Sequence, residues 1–143
     1  MTAIYTSLIS YIEETLKGVD SVKQIIPYPI DVAPEKQPYV VFFPDSFDND
    51  FASTKENMKF YRFKMWVVVG TKQAGNALIF NTVLPKVVDD VVAAFDEKWD
   101  AGNLDGHRVW ALLNSCLWGL TPTDKGTEAW CEMNVLIKLQ TDN

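Results

Sequence analysis

Histidine occurs once in this chain, at His107, and cysteine twice, at Cys116 and Cys131. A lone histidine with no oriented partner nearby in sequence makes a poor general base. His107 follows Gly106 and is read as a residue at a loop end. The two cysteines lack C-x-x-C spacing, so a zinc site has no support. They also lack activating neighbours, which argues against a nucleophile. Their expected state is that of buried small hydrophobes, reduced as thiols in the cytoplasm. Basic clusters are missing too. No three Lys or Arg residues are consecutive and the net charge is −6, which disfavours sequence-specific nucleic-acid binding. No G-x-G-x-x-G or G-x-x-x-x-G-K-[ST] segment supports nucleotide binding. No apolar run approaches the ~20 residues that cross a bilayer. Neither does a basic, then apolar, secretory pattern follow Met1 and Thr2, so cytoplasmic synthesis and no membrane partner are expected. No catalytic, metal-binding or cofactor-binding residue is therefore assigned, and the chain is read as a non-enzyme.

What the chain has is length for a core. With 143 residues and 48% hydrophobic content, one domain over 1–143 is expected, able to bury roughly 70% of its unfolded surface. Ile4, Leu8, Ile12 and Leu16 recur every four residues, which predicts a helix from about Ala3 to Lys17, capped by Thr2 and stopped at Gly18. Proline interrupts the next stretch at 27, 29, 34 and 38, leaving room for a short edge strand near Gln24–Tyr28. Tyr39–Phe43 is a continuous apolar run of the kind buried on both faces. Phe60–Val69 alternates, with Tyr61, Phe63, Met65, Val67 and Val69 on one face. A second helix carries Leu84, Val87, Val88, Val91, Val92, Phe95 and Trp99 at helical spacing. Trp99 is expected to anchor its end in the core. Pro85 must kink this helix or begin a new one. Asp100–Gly106 is read as its terminating connection. Arg108–Leu120 and Ala129–Gln140 form an antiparallel hairpin, with Cys116 opposite Cys131 and Trp110, Leu112, Cys116 and Trp118 on one face.

This order predicts an α+β fold: two helices packed on one face of a mostly antiparallel sheet of four to five strands. Between two of the strands lies Pro44–Met58, which has no periodicity and reads as a long loop or extended hairpin. Loops of this length are usually functional or disordered. It holds Asp45, Asp48, Asp50 and Glu56 against Lys55 alone, together with Phe47 and Phe51. The acid spacing resembles a calcium loop, but the glycine and bidentate glutamate positions are unmet. Acids with two aromatic anchors suit a contact surface, and removing Asp45–Asn57 is expected to leave the monomer folded. Five tryptophans exceed what one covered sheet face needs, and aromatics are enriched at interface cores. Asp45, Phe47, Asp48, Asp50, Phe51, Glu56 and Trp66 are the interface candidates.

The layout resembles the tail terminator, or tail completion, proteins of long-tailed bacteriophages. The resemblance rests on the amphipathic first helix, the proline-rich stretch, Gln37-Pro38-Tyr39-Val40-Val41 leading into a core strand, the long Phe60–Val69 strand, a helix and a closing antiparallel pair. It implies a structural virion protein in the neck region of the tail. Such a protein forms a hexameric ring of itself, ends polymerisation of the major tail tube protein and joins the head–tail connector or head-closure protein, with the sheath as a further neighbour in a contractile tail. The alternatives are another neck component, such as a head-closure or minor tail protein, and a small cysteine-dependent enzyme.

Overall fold

The molecule is built on a six-stranded sheet, in the order β1-β2-β3-β6-β5-β4 among the described residues. The computed structural model describes residues 4–30, 34, 36–51, 56–70, 76–104, 106–123 and 126–142. The strands are β1 (Gln24–Ile26), β2 (Tyr39–Phe51), β3 (Glu56–Gly70), β4 (Asp100–Leu104), β5 (His107–Thr123) and β6 (Gly126–Asp142). Only β1 against β2 is parallel; the other pairs are antiparallel. The α+β class holds, with six strands where four to five are expected from the sequence.

Helix α1 spans Ile4–Lys17 and buries Leu8, Ile12, Thr15 and Leu16. The Thr2 cap lies outside the described residues. At the other end, Gly18 N–H and Val19 N–H bond back to Thr15 and Leu16 carbonyls at 3.3 and 3.0 Å, a tightened last turn. Buried Thr15 satisfies its hydroxyl on the Tyr11 carbonyl at 2.8 Å. The second helical stretch begins with α2 (Asn76–Leu78), widens into a π-helical segment (Ile79–Val83), and continues as α3 (Leu84–Glu97). Pro85 sits in the first turn of α3, and its missing N–H falls directly after the π turn, where Leu84 N–H bonds to the Ile79 carbonyl. The backbone stays helical through Val83 and Leu84, so Pro85 interrupts one continuous helical stretch rather than starting a separate helix. The wider π turn before it absorbs the change in hydrogen bonding.

One core cluster joins Leu8, Ile12 and Leu16 of α1 with Leu84, Val87, Val88, Val91 and Phe95 of the second helical stretch. Against them lie Phe63, Met65 and Val67 of β3, and Cys131, Met133, Val135 and Ile137 of β6. The alternation expected for Phe60–Val69 is therefore present, odd positions inward. Tyr11 donates to the Lys98 carbonyl at 2.5 Å, which ties α1 to the end of α3.

Four sequence expectations need correction. Trp99 is 55% exposed. It lies past the end of α3, and its carbonyl serves the sheet by accepting Ala111 N–H at 2.8 Å. Trp99→Ala should therefore cost under about 1 kcal/mol, against roughly 3–5 for a buried tryptophan; a urea melt measures the difference. Asp100–Leu104 is a strand, paired to β5 and held by the Arg108–Asp100 ion pair at 2.7 Å. The hairpin register is also different. Cys116 lies opposite Met133 and Trp118 opposite Cys131, and a bulge at Ser115 then puts Asn114 opposite Asn134. Beyond that bulge the faces exchange. Val109 and Ala111 turn inward and are buried, while Leu112 points away from the helices and is exposed. Finally, Cys116 and Cys131 are neighbours, with Cα atoms 6.4 Å apart, but they are joined as a disulfide rather than held as two thiols. Cys131 is buried and Cys116 is exposed.

Candidate functional site: an uncovered sheet face and two open strand edges

Of the two forms expected for Pro44–Met58, a long loop or an extended hairpin, the described residues show the hairpin. The β2 ladder continues to Phe51 and the β3 ladder starts at Glu56. The segment is the outer half of a long hairpin, with a bulge at Asp45 where pairing shifts between Pro44 and Ser46. Its β3 arm also pairs with β6, Met58 against Gln140. Cutting out Asp45–Asn57 would strip partners from two strands, so it is not the clean loop deletion the sequence suggests.

The structure distributes the interface candidates over both faces of this arm. Phe47 is 46% exposed and lies on the helix side, its ring 5.1 Å from Tyr61. Tyr61 in turn meets Tyr5 of α1 edge-on at 5.1 Å. Asp45 is exposed at the bulge. Asp48 is on the opposite face and forms an ion pair with Arg62, so its charge is already matched within the chain. Asp50 and Phe51 pair through the backbone with Met58 and Asn57, and Glu56 with Asp142; the side chains of Asp50, Phe51 and Glu56 lie outside the described residues.

Trp66 belongs to a different grouping. It stands on the sheet face turned away from α1 and α3, half-buried and 5.5 Å from the Phe43 ring. Ile26, Tyr39, Val41 and Val68 form a second buried cluster there, with Trp66 and Trp130 against it. A groove of about 470 Å³ opens over this cluster, with Glu128, Glu132 and Thr121 along its polar side. Register explains the assembly: Tyr39 pairs with Val68, Val68 with Trp130, and Trp130 with Gly119. Four strands thus present one row on one face. Trp130 lies across Gly119, where a Cβ would meet the six-membered ring of the indole. Its Nε1–H donates to Thr121 Oγ1 at 2.8 Å. Lys64 closes on Glu132 at 3.3 Å.

The Tyr39 hydroxyl donates to Glu128 Oε2 at 2.9 Å. Burial, and then the Glu128 carboxylate, push the Tyr39 phenol well above its ordinary value. The folded value exceeds the unfolded one, so the phenol's contribution is complete below about pH 10 and is lost as pH rises further. Urea titrations from pH 8 to 11 should show stability falling at the alkaline end. Tyr39→Phe should flatten part of that fall.

The sequence singles out Trp66 as an interface candidate but does not reveal Tyr39, Glu128, Thr121 and Trp130 as one network beside it. The available signal was Gly119, since a glycine inside a strand often marks close approach by another group. Nor does the sequence reveal the edge of β5, where Leu117, Trp118 and Leu120 are exposed. Among the described residues, no group of three or more His, Cys, Asp or Glu could hold a metal ion, and no helix is long and apolar enough to cross a membrane.

No family model matches the chain, and no curated protein matches it. A solved structure does: a chain of the virion of a native gene transfer agent particle superposes with a TM-score of 0.56 at 12% identity, covering 100% of both chains. Along its whole length, then, this chain shares its fold with a chain of that virion.

Proposed function

We propose that this protein is a structural component of a phage-like virion, and specifically a tail terminator. In this reading it forms a homo-hexameric ring on the end of the tail tube, stops addition of tube subunits, and offers its far side to the head–tail connector or head-closure protein. It acts by assembly, without catalysis or cofactor. The observation that carries the reading is the fold likeness to a virion chain, which extends over 100% of each partner. The aromatic face supports it further, because Trp66 and Trp130 are only half-buried there and, among the described residues, both core helices pack against the other cluster. Aromatic clusters of this kind are the usual centres of protein contacts.

Deleting the gene in its own phage or particle tests the proposal by electron microscopy. Overlong tubes without heads are the expected product, restored to normal length by the protein in trans. Tails of normal length lacking only heads would instead indicate a head-closure role, and normal complete particles would remove the protein from tail assembly.

A further inference from the structure

Among the described residues, two stretches of strand edge lack a ladder partner, and they are complementary. β1 covers β2 only at Tyr39, Val40 and Val41. β4 covers β5 only between His107 and Trp110, with Trp99 serving Ala111. Among the described residues, Phe42–Phe51 and Leu112–Pro122 are each paired on one side alone. We propose that these are the two halves of one joint between copies: Phe42–Phe51 of one copy pairs antiparallel with Leu112–Pro122 of the next. The joint rests on the ring reading above and supplies its subunit contact.

The geometry follows from the register. Asp50, Met58, Gln140 and Arg108 lie in one row across the sheet, so β4 stands at the end where β2 is open. Tyr39, Val68, Trp130 and Gly119 form another row, so β1 stands at the end where β5 is open. The open stretches therefore occupy diagonally opposite corners. A second copy in the same orientation, slid along the strands, brings one against the other, while β1 and β4 lie beyond the two ends of the contact. β2 and β5 run in opposite directions within the sheet, so pairing across the joint is antiparallel, like the rest of the ladder.

The slide is about six residues, roughly 20 Å at the rise of a strand. Each copy contributes four strands between successive joints, roughly 19 Å at the usual strand spacing. Stagger and width together tilt the strands by roughly 45°, about where staggered sheets close on themselves. The contact is heterologous, and repeated with one rotation such contacts give a ring.

The side chains favour unlike pairing. From Ala111 to Thr123 the chain carries no charge, and Leu117 is 63% and Leu120 44% exposed. Proteins normally guard an open edge with charges; the open stretch of β5 has none, which fits an edge that is covered in use. The β2 edge bears the exposed Asp45, so two β2 edges set side by side would oppose like charges. Bulges at Asp45 and Ser115 fall inside the two stretches and bend them, which restricts pairing to a matched partner.

The test installs photo-reactive benzoylphenylalanine in place of Leu117, in a mixture of ordinary and 15N-labelled full-length protein, at concentrations up to the millimolar range. Illumination should join position 117 of one copy to a peptide within 42–51 of another. Links from position 117 to β5 or to the helices of another copy would overturn the joint, as would the absence of any product between copies. In parallel, Leu117→Glu should raise the concentration needed for ring formation at least tenfold without changing the thermal midpoint of the monomer, and Leu117→Lys should do less because it comes near the exposed Asp45. Rings that survive Leu117→Glu unchanged would also overturn it. Rings linked through other residues would leave the terminator reading intact, whereas the expected link in a protein that leaves tube length unaffected would retain the joint and remove the terminator role.

Discussion

Replacing Phe63 by alanine should destabilise the protein by about 3–5 kcal/mol, the range for a fully buried phenylalanine whose cavity cannot collapse. Phe63 is 0% exposed in the middle of β3. Phe42 meets its ring at 6.4 Å and Tyr5 at 6.0 Å, both edge-on. Truncation would therefore remove contacts to β2 and α1 together. These neighbours are fixed by ladder and helix hydrogen bonds and cannot move in to fill the space. For a chain of this size each kcal/mol is worth roughly 2–4 °C in thermal midpoint. A fall of about 10 °C in a circular-dichroism melt is the expected outcome, and a shift below about 2 °C would mean that Phe63 is not a core residue.

Gly119→Ala carries the second large effect, for the opposite reason. A methyl group would add volume where the Trp130 indole lies directly across the strand pair. In an exposed strand, replacing glycine usually stabilises by restricting the unfolded chain, by about 0.4–1 kcal/mol. Here the obstructing atoms belong to a rigid ring, so the indole must swing away and give up its bond to Thr121. Overpacking of this kind costs about 1–3 kcal/mol. The expected result is a lower thermal midpoint with a red shift in tryptophan emission. A stabilised protein with unchanged fluorescence would place the indole elsewhere. Trp130→Ala combined with Gly119→Ala should recover the glycine part of the loss, because the collision partner is then gone.

The candidate site was only partly legible in the chain. Trp66 could be singled out because its strand alternates strongly, and a tryptophan opposite Phe63 and Met65 must stand on the other face. The acids of Pro44–Met58 drew attention to a segment that does matter for the outline of the sheet, but for a different reason from the one their composition suggests. Asp48 turned out to be matched by Arg62, a residue on the neighbouring strand that becomes adjacent only after the bulge at Asp45 shifts the ladder. The open edge of β5 was hidden by its own composition. Leu117, Trp118 and Leu120 look like core residues in a list of amino acids, yet all three are exposed on a stretch of β5 that no further strand flanks among the described residues.

By itself the sequence determined α1, the inward face of β3, the valine-rich helix and the existence of the closing hairpin. Each is a long segment whose apolar spacing repeats with one clear period, so local pattern and final burial coincide. Tertiary structure decided the rest. Asp100–Leu104 and the outer arm of β2 have poor strand propensity and become strands because a neighbour offers a complete row of backbone donors and acceptors. The hairpin register depended on a single extra residue at Ser115. One bulge exchanges the two faces of every residue beyond it, since side chains alternate with a period of two. The exposure of Trp99 came from where α3 ends, at Glu97, two residues short of the expected helix end. Helix ends and bulges are set by small differences in hydrogen bonding with distant strands, which the spacing of apolar residues does not record.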